Sequence, residues 1–183
     1  MRIYYFSGFG SVTDPHSPKI QMLRELADEV IIVSAIPNTV AAYVSKFLDL
    51  YDPRYESIMV GTSLGGFWSS YFGKLTASPW VALNPVFKLP QSLVGKHTAY
   101  GSQDGFEFTQ EDLEQYDKLL KPNAPGVPGL IIASKDDPYV DVDLLNGMAS
   151  DHKVVFIPGS DHRLDKTDGY KYLVEPFIQG TLC

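Results

Sequence analysis

The sequence predicts a three-layer α/β fold: a mainly parallel sheet flanked by helices, with a small insertion. Three observations carry this. Six short stretches, residues 3–6, 30–33, 58–60, 80–83, 130–133 and 154–157, are apolar almost throughout, with no polar alternation. Unbroken apolar strands are those covered on both faces, as in parallel sheets. Helical patterns lie between them, giving a β-α-β-α rhythm. The length of 183 residues suits one compact domain spanning 1–183.

In chain order, strand 3–6 leads to a helix over 19–28, with Ser17 as N-cap and Pro18 in the first turn. Strand 30–33 follows. Asn38 is placed to cap a helix over 39–51, where Val40, Tyr43, Val44, Phe47 and Leu48 share a face. Strand 58–60 runs into a glycine-rich turn and a helix over 64–73. After strand 80–83 the rhythm breaks. Residues 85–128 hold Pro, Gly, Gln and aromatics with one helical pattern, 110–120, and read as a cap-like insertion over the strand ends. Strand 130–133, helix 142–149, strand 154–157 and helix 169–177 complete the chain. Asp141 and Asp143 are natural caps for the helix at 142.

Composition narrows the function. Acidic side chains number 22 against 15 basic ones, for a formal net charge of −7, and no basic cluster occurs. A nucleic-acid or anionic-membrane surface is therefore not expected. The one cysteine, Cys183, cannot form an internal disulfide. The opening MRIYYFSGFG is too short an apolar run for a signal peptide, and no stretch approaches the roughly 18 apolar residues of a membrane span. A reducing, cytoplasmic setting is the expectation. No H-x-x-x-H pair, G-x-G-x-x-G or Walker-type loop is present, so neither a metal nor a nucleotide cofactor is expected.

The chemistry concentrates at Gly61-Thr62-Ser63-Leu64-Gly65-Gly66, a G-x-S-x-G between a strand and an apolar helix. A nucleophilic serine there must stand on a sharp turn with its hydroxyl clear of the sheet. Strand and helix then pass so closely that the residues two before and two after must be tiny, which Gly61 and Gly65 are. A glycine-rich turn that merely joins strand to helix is the alternative. A serine hydroxyl needs a base. In such folds the order is serine, acid, histidine, with the histidine after the last strand. His162, in Pro158-Gly159-Ser160-Asp161-His162, fits. His152 precedes that strand and is expected in solvent at the opposite edge. His97 lies in the insertion, and His16 is held in reserve. For the acid, spacing leaves Asp136 and Asp137 open, with Asp141, Asp143 and Asp161 lesser alternatives. An oxyanion hole needs two backbone N–H donors: Leu64, after the nucleophile, and Phe9, in the loop Ser7-Gly8-Phe9-Gly10.

These pieces, with Asn84-Pro85-Val86, resemble the small YqiA-like esterases of the α/β-hydrolase superfamily, over most of the chain. The resemblance implies an α/β-hydrolase fold, a serine esterase acting on small-molecule acyl esters, and no cofactor. Hydrolases of this kind commonly have Asp-Pro-x-Val at the acid turn, which favours Asp137; the retinoblastoma-binding-protein-9-like serine hydrolases are similar there and use the second aspartate. The group usually opens with His-Gly-Phe where this chain has Ser7-Gly8-Phe9. Phe87, Tyr100, Phe106, Phe108, Tyr116 and Trp68 are candidates for an acyl pocket or for core. His97 and Lys88 are candidates to meet a polar leaving group. A cap of about forty residues suits short or medium acyl groups. The same residues would also serve a thioesterase or acyltransferase, and a binding protein without turnover is the reading from another class.

Overall fold

A computed structural model describes residues 1–119, 126–159 and 161–181. The six predicted stretches form strands β1 (Arg2–Phe6), β2 (Glu29–Val33), β3 (Ser57–Thr62), β4 (Trp80–Leu83), β7 (Gly129–Ser134) and β8 (Lys153–Ile157). They make one sheet in the order β2-β1-β3-β4-β7-β8, with every neighbouring pair parallel.

The strands are apolar on both faces because helices cover both. Tyr4, Phe6, Met59, Trp80, Ala82, Ile131 and Ala133 point to one side. There they meet α2 (Val40–Leu50), α3 (Leu64–Thr76), α4 (Gln110–Leu119) and α5 (Val142–Met148), through Phe47, Phe72, Tyr116 and Met148 among others. Ile3, Tyr5, Ile58, Val60, Val81, Leu83, Leu130 and Ile132 point to the other side. They are covered by α1 (Pro18–Arg24) and α6 (Lys171–Gly180) through Ile20, Leu23, Tyr170, Val174 and Ile178. Each Val, Leu, Ile, Phe or Met among them contributes about 1.5–3 kcal/mol on burial, so an alternating strand would waste half its faces here.

Five details differ from the sequence reading. Thr39, not Asn38, caps α2, its hydroxyl accepting from the Ala42 N–H at 3.1 Å. α1 stops at Arg24, short of residue 28, and α6 begins at Lys171 and runs through Pro176. The insertion holds more than a helix. β5 (Gly95–Thr98) and β6 (Gly105–Phe108) pair antiparallel as a hairpin before α4. His152 is not in solvent: it lies at the far end of the sheet as expected, but buried edge-on against Trp80, with 8 % exposure. Among predicted positions, Leu120, Ser160 and Cys183 lie outside the described residues.

Candidate active site

Because all six strands are parallel, the loops that follow them leave from one end of the sheet. β1 and β3 are adjacent, and the chain leaves β1 towards β2 on one side while β3 lies on the other. In open parallel sheets this reversal opens a crevice at the carboxyl ends of the strands. Ser63 stands there, between β3 and α3, with φ 58° and ψ −123°. That conformation is disfavoured for any residue with a side chain and is held by its neighbours. The Ser63 N–H donates to Leu83 O at 3.0 Å, and Ser63 O accepts from Val86 N at 3.1 Å. The glycines explain why the turn can close. A Cβ on Gly61 would come within 1.9 Å of Gly65 O, and one on Gly65 within 2.0 Å of Phe6 O.

Two loops complete the site. His162, after β8, directs Nε2 to Ser63 Oγ at 2.9 Å. Its Nδ1 faces Asp137 Oδ2, in the turn after β7, at 2.5 Å. The Asp137 carboxylate has no exposed side-chain surface, whereas the imidazole retains 28 %. Asp137 Oδ1 also accepts the Tyr139 N–H at 2.9 Å, which fixes which carboxylate oxygen turns to the histidine. Asp136 points outward and is exposed. Asp161 accepts from Arg163 N and Asp165 N within its own loop. His16 is exposed, and His97 turns Nε2 to Leu93 O at 2.6 Å. Of the four histidines, His162 alone is hydrogen-bonded to Ser63.

Leu64 opens α3, so its N–H has no carbonyl one turn earlier to receive it. The positive end of the helix dipole points to the same place. In the loop after β1, Gly10 N donates to Asn38 Oδ1 at 2.6 Å and Ser11 N to Gly8 O at 3.2 Å. The Phe9 N–H meets no acceptor among the described residues. The loop is tightly tethered. Ser7 Oγ bonds to Thr13 Oγ1 at 2.6 Å and to the Ser34 hydroxyl, so a short hydroxyl chain occupies the place where the resembling group carries histidine. Tyr43 OH donates to Ser7 O at 2.8 Å and Tyr116 OH to Asn38 O at 2.9 Å. Burial pushes both phenols well above their ordinary range, which keeps them protonated donors.

Asn38 and Tyr139 are the residues that sequence reasoning missed. Asn38 is fully buried and holds Gly10, while the exposed Tyr139 ring lies 4.8 Å from the imidazole. Asn38 carried a signal, an amide beside a helix start, but capping was the simpler use for it. Tyr139 carried none beyond its place in the acid turn. Among the candidate pocket aromatics, Trp68, Phe108, Tyr116 and Phe87 are core, and Tyr100 is exposed beneath the Arg163 guanidinium. Phe106 packs on Phe9 and stacks with His97. Among the described residues no cluster of His, Cys, Asp and Glu is arranged to hold a metal, and no helix is long and apolar enough to cross a membrane.

Comparison with known proteins agrees with this architecture. The profile of the Uncharacterised protein family (UPF0227) matches residues 2–177, bearing out the YqiA-like resemblance. No curated protein sequence matches. Solved structures of similar fold include Est1E from Butyrivibrio proteoclasticus with ferulic acid bound, at 14 % identity and a TM-score of 0.73, covering 99 % of this chain and 89 % of that one. Mouse alpha/beta hydrolase domain-containing protein 10 is similar at 16 % identity and a TM-score of 0.68, over 99 % and 89 %. The esterase domain of a Rhodothermus marinus protein aligns at 13 % identity and a TM-score of 0.63, over 98 % and 85 %. The fold is that of the α/β hydrolases.

Proposed function

The chain belongs to the Uncharacterised protein family (UPF0227), and from the geometry of its site we propose that it is a serine hydrolase cleaving carboxylic esters of short to medium acyl chains. One observation carries the reading: the continuous chain from Ser63 Oγ through His162 to buried Asp137, at 2.9 and 2.5 Å. His162 Nε2 takes the Ser63 proton as Oγ attacks the ester carbonyl, and Asp137 steadies the imidazolium that forms. The Leu64 and Phe9 N–H groups receive the tetrahedral oxyanion. The imidazolium then gives its proton to the leaving alcohol, and water cleaves the acyl-enzyme by the same route in reverse. The scheme needs no cofactor.

The insertion at 85–128 acts as a small cap, with Phe106 and His97 beside Phe9 forming an aromatic wall. The neighbour Est1E is known with ferulic acid bound, and a flat aryl acyl group suits such a wall, so hydroxycinnamate esters belong in the substrate panel. The partner is a small-molecule acyl ester, and a cytoplasmic setting belongs to the same reading.

The test is labelling by a fluorophosphonate probe, with Ser63→Ala and His162→Ala as controls. Labelling of the wild type, lost in both folded variants, is the expected result. An esters-against-thioesters panel with product analysis then separates hydrolysis from thioesterase or acyltransferase activity. Folded wild type that takes no label would overturn the proposal in favour of a binding protein without turnover.

A further inference from the structure

The loop carrying His162 faces a mechanical problem. It leaves β8, at one edge of the sheet, yet the imidazole must reach Ser63 at the end of β3, three strands away in the order β3-β4-β7-β8. At about 4.8 Å per strand the loop crosses roughly 14 Å of strand ends. Among the described residues of the loop, Asp161 O accepts the Leu164 N–H at 3.1 Å, while the His162 and Arg163 carbonyls accept from side chains.

Asn84 lies under that crossing. It follows β4 directly, is fully buried, and adopts φ 41°, a left-handed conformation that asparagine enters more readily than most residues. Its amide nitrogen donates to Asp161 O at 2.9 Å and to His162 O at 3.2 Å. Its amide oxygen accepts the Ser134 N–H at 2.8 Å, at the end of the strand leading to Asp137. Its own N–H donates to Ile132 O at 2.8 Å. One side chain thus joins the loop of the base to the strand of the acid. The following turn returns to the serine, where Val86 N meets Ser63 O. Lys19, buried on α1, donates to the next carbonyl, Arg163 O.

Resting on the serine-hydrolase reading of the site, we propose that Asn84 is a positioning residue. It sets the backbone of His162 so that one imidazole reaches Ser63 Oγ and Asp137 together. The chemistry selects asparagine. The His162 carbonyl takes a donor from it, the Asp161 carbonyl a second one beside the Leu164 N–H, and the Ser134 N–H takes an acceptor, so donor and acceptor are wanted on one side chain. Aspartate has the shape but presents an oxygen to the two carbonyls.

The test uses Asn84→Asp and Asn84→Gly. Glycine is at ease at φ 41°, so the second variant removes the amide without penalising the backbone. The first readout is the far-downfield proton resonance of the His162 Nδ1–Asp137 hydrogen bond, assigned by its loss in His162→Ala. The second is ester kinetics. The resonance is expected to vanish or broaden in both variants, and kcat to fall about 100-fold with KM little changed, the effect of an ångström-scale displacement of a reacting group. Thermal unfolding shows that the measured samples are folded. A retained resonance and wild-type kcat in either folded variant would overturn the proposal. If the wild type neither hydrolyses esters nor takes the phosphonate label, the hydrolase reading fails, and the resonance alone still decides whether Asn84 holds His162.

Discussion

Replacing Asp137 by asparagine changes one atom's chemistry and almost nothing of its shape, and the surrounding hydrogen bonds determine how the amide settles. Oδ1 accepts the Tyr139 N–H at 2.9 Å, so the amide oxygen must stay there. The NH₂ group then occupies the Oδ2 position, 2.5 Å from His162 Nδ1. A donor facing Nδ1 moves the ring proton to Nε2, which now donates to Ser63 Oγ and cannot take its proton. Inverting the tautomer in this way costs serine hydrolases about 10⁴-fold in kcat, or about 5 kcal/mol of transition-state stabilisation. Binding contacts are untouched, so KM should barely move. The assay is hydrolysis of a short-chain aryl ester by Asp137→Asn and Asp136→Asn side by side, with thermal unfolding to show that both are folded. Asp136 is exposed, and its variant should behave as wild type. A folded Asp137→Asn enzyme with near-normal kcat, or an inactive Asp136→Asn enzyme, would refute the assignment of Asp137 as the group that orients the base.

Two further outcomes are expected. Gly65→Ala would place a methyl group 2.0 Å from Phe6 O and 2.9 Å from Ser7 O, both rigid backbone. Urea unfolding should show a loss of about 3 kcal/mol or no folded protein at all, and unchanged stability would refute the account of the elbow. His152 is buried with both ring nitrogens unpartnered among the described residues, and its pKa is lowered by burial and by Lys74 beside it, against the opposite pull of Asp151. The unfolded chain therefore binds a proton more readily than the folded one, so the stability this site confers is present above about pH 6.5 and is lost as pH falls through the folded pKa. Urea midpoints measured from pH 7.5 down to 5 should fall for wild type more steeply than for His152→Leu, and parallel curves would refute the claim.

Much of the architecture was legible because its signals are local. An unbroken run such as Leu130-Ile131-Ile132-Ala133 already states that both faces are covered, and all six such runs lie in the parallel sheet. The elbow was equally readable: glycine two residues either side of a serine, between strand and helix, is a steric requirement written into five consecutive positions. The hairpin β5–β6 escaped notice because its strands alternate partly buried and exposed positions and carry charged residues, Lys96 and Glu107, opposite one another. Asn38 escaped because a one-residue shift of the cap to Thr39 frees the amide for a task 28 positions away, at Gly10.

Chain order nominates Ser63, the Asp136–Asp137 turn and His162, the family resemblance favours Asp137 of the pair, and the strand pattern orders their loops. The sequence by itself therefore determined the fold class and the family and nominated a short roster of candidate site residues, because periodicity, turn sterics and order along the chain are properties of neighbouring residues. Only the tertiary structure decided which candidates meet. Asp136 and Asp137 are indistinguishable by spacing, yet one faces solvent and the other is sealed against His162. Chain order already set His152 apart from His162, but its burial against Trp80, in place of the expected solvent, came only from the packing. Asn84 gains its meaning from carbonyls 77 and 78 residues further along the chain. Such contacts depend on directions in space, and a hydrogen bond of 2.5–3 Å leaves no tolerance that a one-dimensional pattern could supply.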